Sequence, residues 1–197
     1  MSSFAGSLPS AEDYAGWRRL LWLDLALLVW VRKLERRALT SLMRTLTRFG
    51  DTGSWVLLTA VLVAGGGEGP AHAARLSSAA LLALAVSQAL KRVCCRPRPS
   101  ACRDERARLA PLADNPDAFS FPSGHTAVAF AVAVALFGAG PALGELTLAL
   151  AAGIAVSRVY LGAHYPLDVA AGGLLGAGSG WAARTALELA TLLPAAG

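Results

Sequence analysis

FPSGHTAVAFAVAVALF, residues 121–137, sets a polar hexapeptide directly in front of an uninterrupted apolar run. Ser123 stands where a helix N-cap belongs and Ala127 to Phe137 carry no breaker, so the stretch reads as an apolar helix with chemistry at its mouth. The arrangement recurs on both sides. Lys91-Arg92-Val93-Cys94-Cys95-Arg96-Pro97-Arg98-Pro99 closes one apolar segment. Ser157-Arg158-Val159-Tyr160-Leu161-Gly162-Ala163-His164-Tyr165-Pro166-Leu167-Asp168 joins two more. Histidines and arginines placed at the edges of apolar segments can meet at a membrane surface without any being buried in lipid.

Composition supports a bilayer. Of 197 residues, 55% are hydrophobic and only 16% charged, with a mean hydropathy of +0.50, whereas soluble domains carry roughly 25% charged residues. The expected fold is all-α: an integral membrane bundle of five helices at about 54–66, 71–91, 124–139, 142–160 and 166–190. Several fall short of the ~20 residues that cross a hydrocarbon core, so flanking Trp and Arg or local thinning must make up the length. Abundant Ala and Gly favour close helix contact, with Gly65-Gly66-Gly67 in a loop and Gly172-Gly173 at a packed position. The chain divides into an N-terminal region, 1–49, and a membrane domain, 50–192.

The N-terminal region opens with a small, polar run, Met1 to Gly16, followed by Trp17-Arg18-Arg19 and the apolar Leu20 to Val31. No small-residue cleavage site follows, which argues against a cleaved signal peptide. Leu20 to Val31 either spans as a sixth helix or lies on the membrane. Val31, Leu34, Ala38, Leu39, Leu42, Met43 and Leu46 then recur at helical spacing opposite Arg32, Lys33, Arg36, Arg37, Arg44 and Arg48. This basic amphipathic pattern reads as a helix lying at the membrane interface, with a surface helix packed on the other helices as the alternative. The net charge of +5 does not read as nucleic-acid binding, because the basic residues concentrate in 18–48 and 91–108, flanking apolar segments.

Alternation across a bilayer supplies a test. If residues 48–53 mark one side, the first span leaves it and the second returns at Lys91; the third leaves after Ser123, the fourth returns near Tyr160 and the fifth leaves after Pro166. All three clusters land on the same side. One span more or fewer would have put His125 and His164 on opposite faces.

Each cluster has an ordinary reading by itself. Lys91 and Arg98 would anchor a helix end at headgroups, His125 would be a surface residue at a helix start, and Asp168 would favour the positive end of its own helix. Together they suit an oxyanion. Arg98 and Arg158 offer bidentate contacts and Lys91 a point charge. The first-turn amides after Ser123 form an anion site. His125 has the chemistry of a general acid. His164, with Asp168 folding back to one ring N–H, has that of an oriented nucleophile.

These segments resemble the type 2 phosphatidic acid phosphatase family. Its pattern Lys-x6-Arg-Pro is met by Lys91 to Pro99, Pro-Ser-Gly-His by Pro122 to His125, and Ser-Arg-x5-His-x3-Asp by Ser157 to Asp168. The resemblance extends over about 50–190 and leaves the N-terminal region outside. It implies that Lys91, Arg98, Ser123, Gly124 and Arg158 bind phosphate. His164 attacks phosphorus to give a phosphohistidine, Asp168 orients it, and His125 protonates the leaving group and then activates water. No metal or other cofactor is implied. A site at the headgroup plane favours a lipid phosphate or diphosphate, with undecaprenyl diphosphate, phosphatidic acid and phosphatidylglycerol phosphate as the leading substrates. A lipid phosphotransferase sharing the intermediate and a non-enzymatic anion or lipid transporter are the alternatives.

Sidedness divides two arguments. Positive-inside counting places the clusters in the cytoplasm, while the family usually works on the extracytoplasmic face, and the expectation follows the family because the motif cations are committed to phosphate. Cys94, Cys95 and Cys102 permit one disulfide or three free thiols, and oligomeric state is left open.

Overall fold

The computed structural model describes residues 17–101, 112, 117–140 and 142–192. The polar run 1–16, Cys102 and most of the loop between the first two motifs lie outside the described residues. Among the described residues seven α-helices follow in order: α1 Trp17–Arg32, α2 Arg37–Phe49, α3 Thr52–Ala64, α4 Gly69–Cys94, α5 Gly124–Ala135, α6 Leu143–Tyr160 and α7 Pro166–Leu192. Among the described residues the only β-type pairing is an isolated bridge between Pro97 and Phe119.

The last five helices correspond to the five expected from sequence. The third ends early, at Ala135 rather than 139, because the chain turns through Gly138 at φ +84°. By length and composition α4 and α6 can each cross a bilayer. The apolar α3 and α5 stop at 13 and 12 residues, or roughly 20 Å at 1.5 Å per residue, short of a ~30 Å hydrocarbon core. Large apolar side chains are nevertheless exposed around the bundle, among them Leu57 on α3, Leu81 on α4, Leu146 on α6 and Leu174 and Trp181 on α7. That outer surface is what a bundle in lipid presents.

α5 sits at the centre. Its Ala127, Ala131 and Ala135 meet Ala79 and Ala83 of α4, while Val132 and Leu136 pack with Trp55, Leu76 and Ile154. On its other side α7 comes within backbone contact. A Cβ placed at Gly176 would stand 2.2 Å from the Ala127 carbonyl oxygen, and one at Gly172 2.6 Å from that of Ser123. Glycine there lets the first turn of α7 reach the first turn of α5, and the Ser123 amide donates to the Asp168 carbonyl at 3.0 Å.

The basic amphipathic stretch corrects the sequence expectation in register. Val31 belongs to α1, residues 33–36 break the helix, and Leu34, Ala38 and Leu42 are exposed. The docked face of α2 turns instead to Leu39, Thr40, Met43, Leu46 and Thr47. Hydroxyl bonding causes the rotation. Thr40 Oγ1 and Tyr160 Oη lie 3.0 Å apart, the Arg36 amide donates to Tyr160 Oη at 3.2 Å, and Arg158 Nη1 donates to Thr47 Oγ1 at 2.7 Å. α2 packs on the bundle, against α6.

Candidate active site

The three motif clusters meet at one end of the bundle. Cys95, in the left-handed region at φ 47°, ends α4 and turns the chain so that residues 96–98 lie beside 119–120. The Ser120 amide donates to the Arg96 carbonyl at 2.8 Å and its hydroxyl to the Pro97 carbonyl at 3.1 Å. Arg98 then crosses to the third cluster, Nη1 donating to the Ala163 carbonyl at 2.8 Å while Nε donates to the Asp117 carbonyl at 2.5 Å.

His164 sits in the α6–α7 connection, 1% exposed in its side chain. Gly162, at φ +70°, makes the turn that delivers it. Its Nδ1 lies 2.7 Å from the Ser120 carbonyl oxygen. A carbonyl can only accept, so Nδ1 carries the proton and Nε2 keeps its lone pair. Nε2 points toward Arg98 Nη1, 3.5 Å away. Burial, reinforced by Arg158 and Arg98, lowers the His164 pKa to about 4, with Asp168 pulling the other way. The ring is therefore neutral near pH 7.

Asp168 corrects an expectation. It was to take the ring N–H, but its Oδ2 stands 3.7 Å from Nδ1, beyond hydrogen-bond range. The cause is competition: Oδ2 accepts the Tyr165 amide at 2.9 Å and Oδ1 accepts Arg96 Nη1 at 2.7 Å. Ser120 supplies the bond instead, and Asp168 is left as a buried negative charge beside the ring.

Ser123 is the N-cap of α5, yet its side chain makes no cap hydrogen bond; Oγ lies 3.0 Å from Thr126 Oγ1 and is fully buried. Gly124 opens onto the cavity described below, where an added Cβ would stand 3.9 Å from Lys91 Nζ. His125 places Nε2 2.9 Å from Asp51 Oδ1 in the turn before α3. The carboxylate takes that proton, leaving Nδ1 for any other partner.

Lys91 is buried and forms an ion pair with Asp117. Burial opposes ionisation of Asp117, but the Lys91 hydrogen bond together with the charges of Lys91 and Arg98 holds its carboxyl below the usual carboxylate range. Asp117 thus occupies, with its side chain and its carbonyl, two of the three cations expected to hold phosphate. Sequence reading missed it, as it missed Asp51, Ser120 and Arg96, because no motif position marks them.

A cavity of about 730 Å³ leads from this cluster between α3, α4 and α5. Trp55, Val56, Leu76, Leu81 and Leu84 line its apolar length, and Lys91, Asp117 and His125 stand at its polar end. Among the described residues no group of three or more His, Cys, Asp or Glu is arranged to hold a metal ion.

Comparison with known proteins agrees with this geometry. Residues 72–191 match the sequence profile of the PAP2 superfamily. The chain is 31% identical over 169 residues to the decaprenylphosphoryl-5-phosphoribose phosphatase of Mycobacterium tuberculosis, covering 78% of this chain and 85% of that protein. A shorter stretch of 57 residues is 49% identical to the bacitracin transport permease protein BcrC of Bacillus licheniformis, spanning 29% of this chain and only 28% of that protein. The crystal structure of Aquifex aeolicus LpxE superposes with a TM-score of 0.72 at 26% identity, covering 88% of this chain and 98% of LpxE. With the three motifs gathered at one end of a helical bundle and the profile matched over residues 72–191, this chain belongs to the PAP2 superfamily and is a phosphatase.

Proposed function

We propose that this membrane phosphatase hydrolyses a lipid phosphate or diphosphate, its hydrocarbon tail in the cavity between α3, α4 and α5 and its phosphate at Lys91, Arg98, Gly124 and Arg158. The cavity carries this reading. An apolar channel ending on the buried Lys91, a glycine at a helix start and His125 suits a molecule with an apolar tail and an anionic head. A polyprenyl phosphate or diphosphate such as undecaprenyl diphosphate is the preferred substrate, in keeping with a relative from Sulfolobus acidocaldarius named undecaprenyl-diphosphatase, 32% identical over 142 residues. Phosphatidic acid and phosphatidylglycerol phosphate are the other members of the class.

In this reading substrate phosphate displaces Asp117 from Lys91 and Arg98 and approaches His164. The Nε2 lone pair attacks phosphorus and forms the N–P bond as the P–O bond to the leaving group breaks. The proton stays on Nδ1, donated to the Ser120 carbonyl, and the ring's new positive charge faces Asp168. His125, protonated and held through Nε2 by Asp51, gives its Nδ1 proton to the departing oxygen and takes one from the water that then splits the N–P bond. Arg98, Arg158, Lys91 and the Gly124 amide stabilise charge on the transferring phosphoryl oxygens. Ser123 acts through its backbone and its bond to Thr126, holding the α5 N-terminus.

Helices α3 to α7 form the membrane domain, with the active site at the extracytoplasmic face. Positive-inside counting points the other way, but Arg44, Arg96, Arg98 and Arg158 each bond to groups of the fold and Lys91 is paired with Asp117. The deciding experiment is phosphate release by purified protein from a panel of lipid mono- and diphosphates in the presence of chelator. Release by the wild type and none by a folded His164→Ala variant is the expected result; equal release by both would overturn the reading. Product analysis with added alcohol separates hydrolysis from transfer.

A further inference from the structure

The most unusual buried charge in the chain is Asp24, on α1. That helix is otherwise apolar over Leu20 to Val31, and it lies outside the matched residues 72–191. The Asp24 side chain is 0% exposed. A carboxylate on such a helix costs several kcal/mol in desolvation unless it is paired, which marks it as functional by default.

Its partners lead to the site. Asp24 Oδ2 accepts Arg96 Nη2 at 2.6 Å, and Oδ1 accepts the Leu167 amide, in the first turn of α7, at 2.7 Å. The other terminal nitrogen of Arg96, Nη1, donates to Asp168 Oδ1 at 2.7 Å, and the guanidinium lies over the Tyr165 ring, 4.0 Å from its centroid. Arg96 is one of the unspecified positions of Lys-x6-Arg-Pro, so neither it nor Asp24 belongs to a motif.

We propose that Asp24 is a positioning residue: by holding half of the Arg96 guanidinium it leaves Asp168 singly paired, so that the Asp168 carboxylate keeps both its place and its charge beside His164. Three groups of charge −1, +1 and −1 leave one net negative charge beside a ring that becomes cationic when it is phosphorylated. Without the Asp24 carboxylate, Arg96 turns both terminal nitrogens to Asp168. That draws Oδ2 from the Tyr165 amide and cancels the charge the intermediate uses. α1 is then part of the catalytic unit, although it contributes nothing to phosphate binding.

The inference rests on the phosphatase reading, and its test separates the two. Asp24→Asn keeps the shape of the side chain and is expected to lower kcat by about tenfold or more with KM little changed, as for groups that orient a catalytic imidazole from one remove. Leu28→Ala is the control for mere anchoring. Leu28 is fully buried four residues along the same face, packed on Tyr165, so its truncation loosens α1 and lowers thermal stability while kcat per folded molecule stays near wild type. A wild-type kcat in Asp24→Asn, or an equal loss in Leu28→Ala, overturns the inference.

A second readout does not need turnover. Arg98 and Arg158 face His164 as cations and Asp168 and Asp117 as anions, so the ring reports the local charge balance. With only three histidines in the chain, its nitrogen resonances can be assigned by comparison with His164→Ala. Arg96→Met should raise the His164 titration, whereas Asp24→Asn should leave it at or below the wild-type value; an upward shift in Asp24→Asn would overturn the inference. If wild type releases phosphate, His164→Ala does not, and Asp24→Asn is unaffected, the positioning role fails while the phosphatase reading stands. If wild type releases none, the reading fails and the resonance test still decides the charge link.

Discussion

His164 Nδ1 and the Ser120 carbonyl oxygen are 2.7 Å apart, and that contact decides which ring nitrogen is free to react. The carbonyl belongs to the segment just ahead of the α5 motif. It is held by the pairing of Ser120 with Arg96 and Pro97, so one cluster sets the tautomer of the histidine in another.

The acidity of this ring has two consequences. With its pKa lowered from 6.5 to about 4 by burial, the acid limb of kcat/KM assigned to the free nucleophile should fall near pH 4 rather than near pH 6.5. Stability follows the same linkage. The folded state resists the proton that the unfolded state accepts below pH 6.5, so the contribution is full above that pH and is lost as pH falls toward about 4, by about 3 kcal/mol at most. His164→Asn removes this dependence, and thermal midpoints of both proteins in detergent between pH 4 and 7 should diverge accordingly.

In the proposed mechanism Asp117, which pairs with Lys91 and accepts from Arg98, competes with substrate for both cations. Asp117→Asn removes the competing charge and should lower KM for a lipid phosphate several-fold and tighten inhibition by orthovanadate. An unchanged KM and vanadate affinity would show that the pair does not have to open. Lys91→Met should do the reverse and raise KM.

The glycine contact between α5 and α7 has no room for a methyl group. Gly176→Ala puts a Cβ 2.2 Å from the Ala127 carbonyl, and overpacking of this kind costs roughly 1–3 kcal/mol. Gly178→Ala, where nothing lies within 4 Å, is the matched control on the same helix. Thermal unfolding in detergent should separate the two variants by several degrees, and equal midpoints would mean that α7 does not lie against α5 as described.

Two thiols report the leaflet. Cys94 and Cys95 are free and exposed at the end of α4 that carries the site. In a Cys102→Ser background, a membrane-impermeant maleimide added outside intact cells should label them. Labelling only after the membrane is opened would place the site in the cytoplasm.

The helices, their order and the convergence of the motifs were legible in the chain because each rests on local information. Apolar runs set α3 to α7, glycine and proline mark Gly162 and Pro166, and counting helix reversals puts Lys91, His125 and His164 at one end. The amphipathic helix was legible as a helix but not in its docked face, since periodicity counts apolar residues while α2 is seated by the hydroxyls of Thr40, Thr47 and Tyr160.

What the sequence determined by itself was where the three motifs lie and that their residues meet at one end of an all-helical bundle. Only the tertiary structure decided how they are wired. The Ser120 carbonyl rather than Asp168 accepts the His164 Nδ1 proton, Asp117 sits across Lys91 and Arg98, and Asp24 reaches in from α1 through Arg96. Hydrogen bonds between residues 44, 26 and 72 positions apart depend on angles and distances that no spacing along the chain encodes.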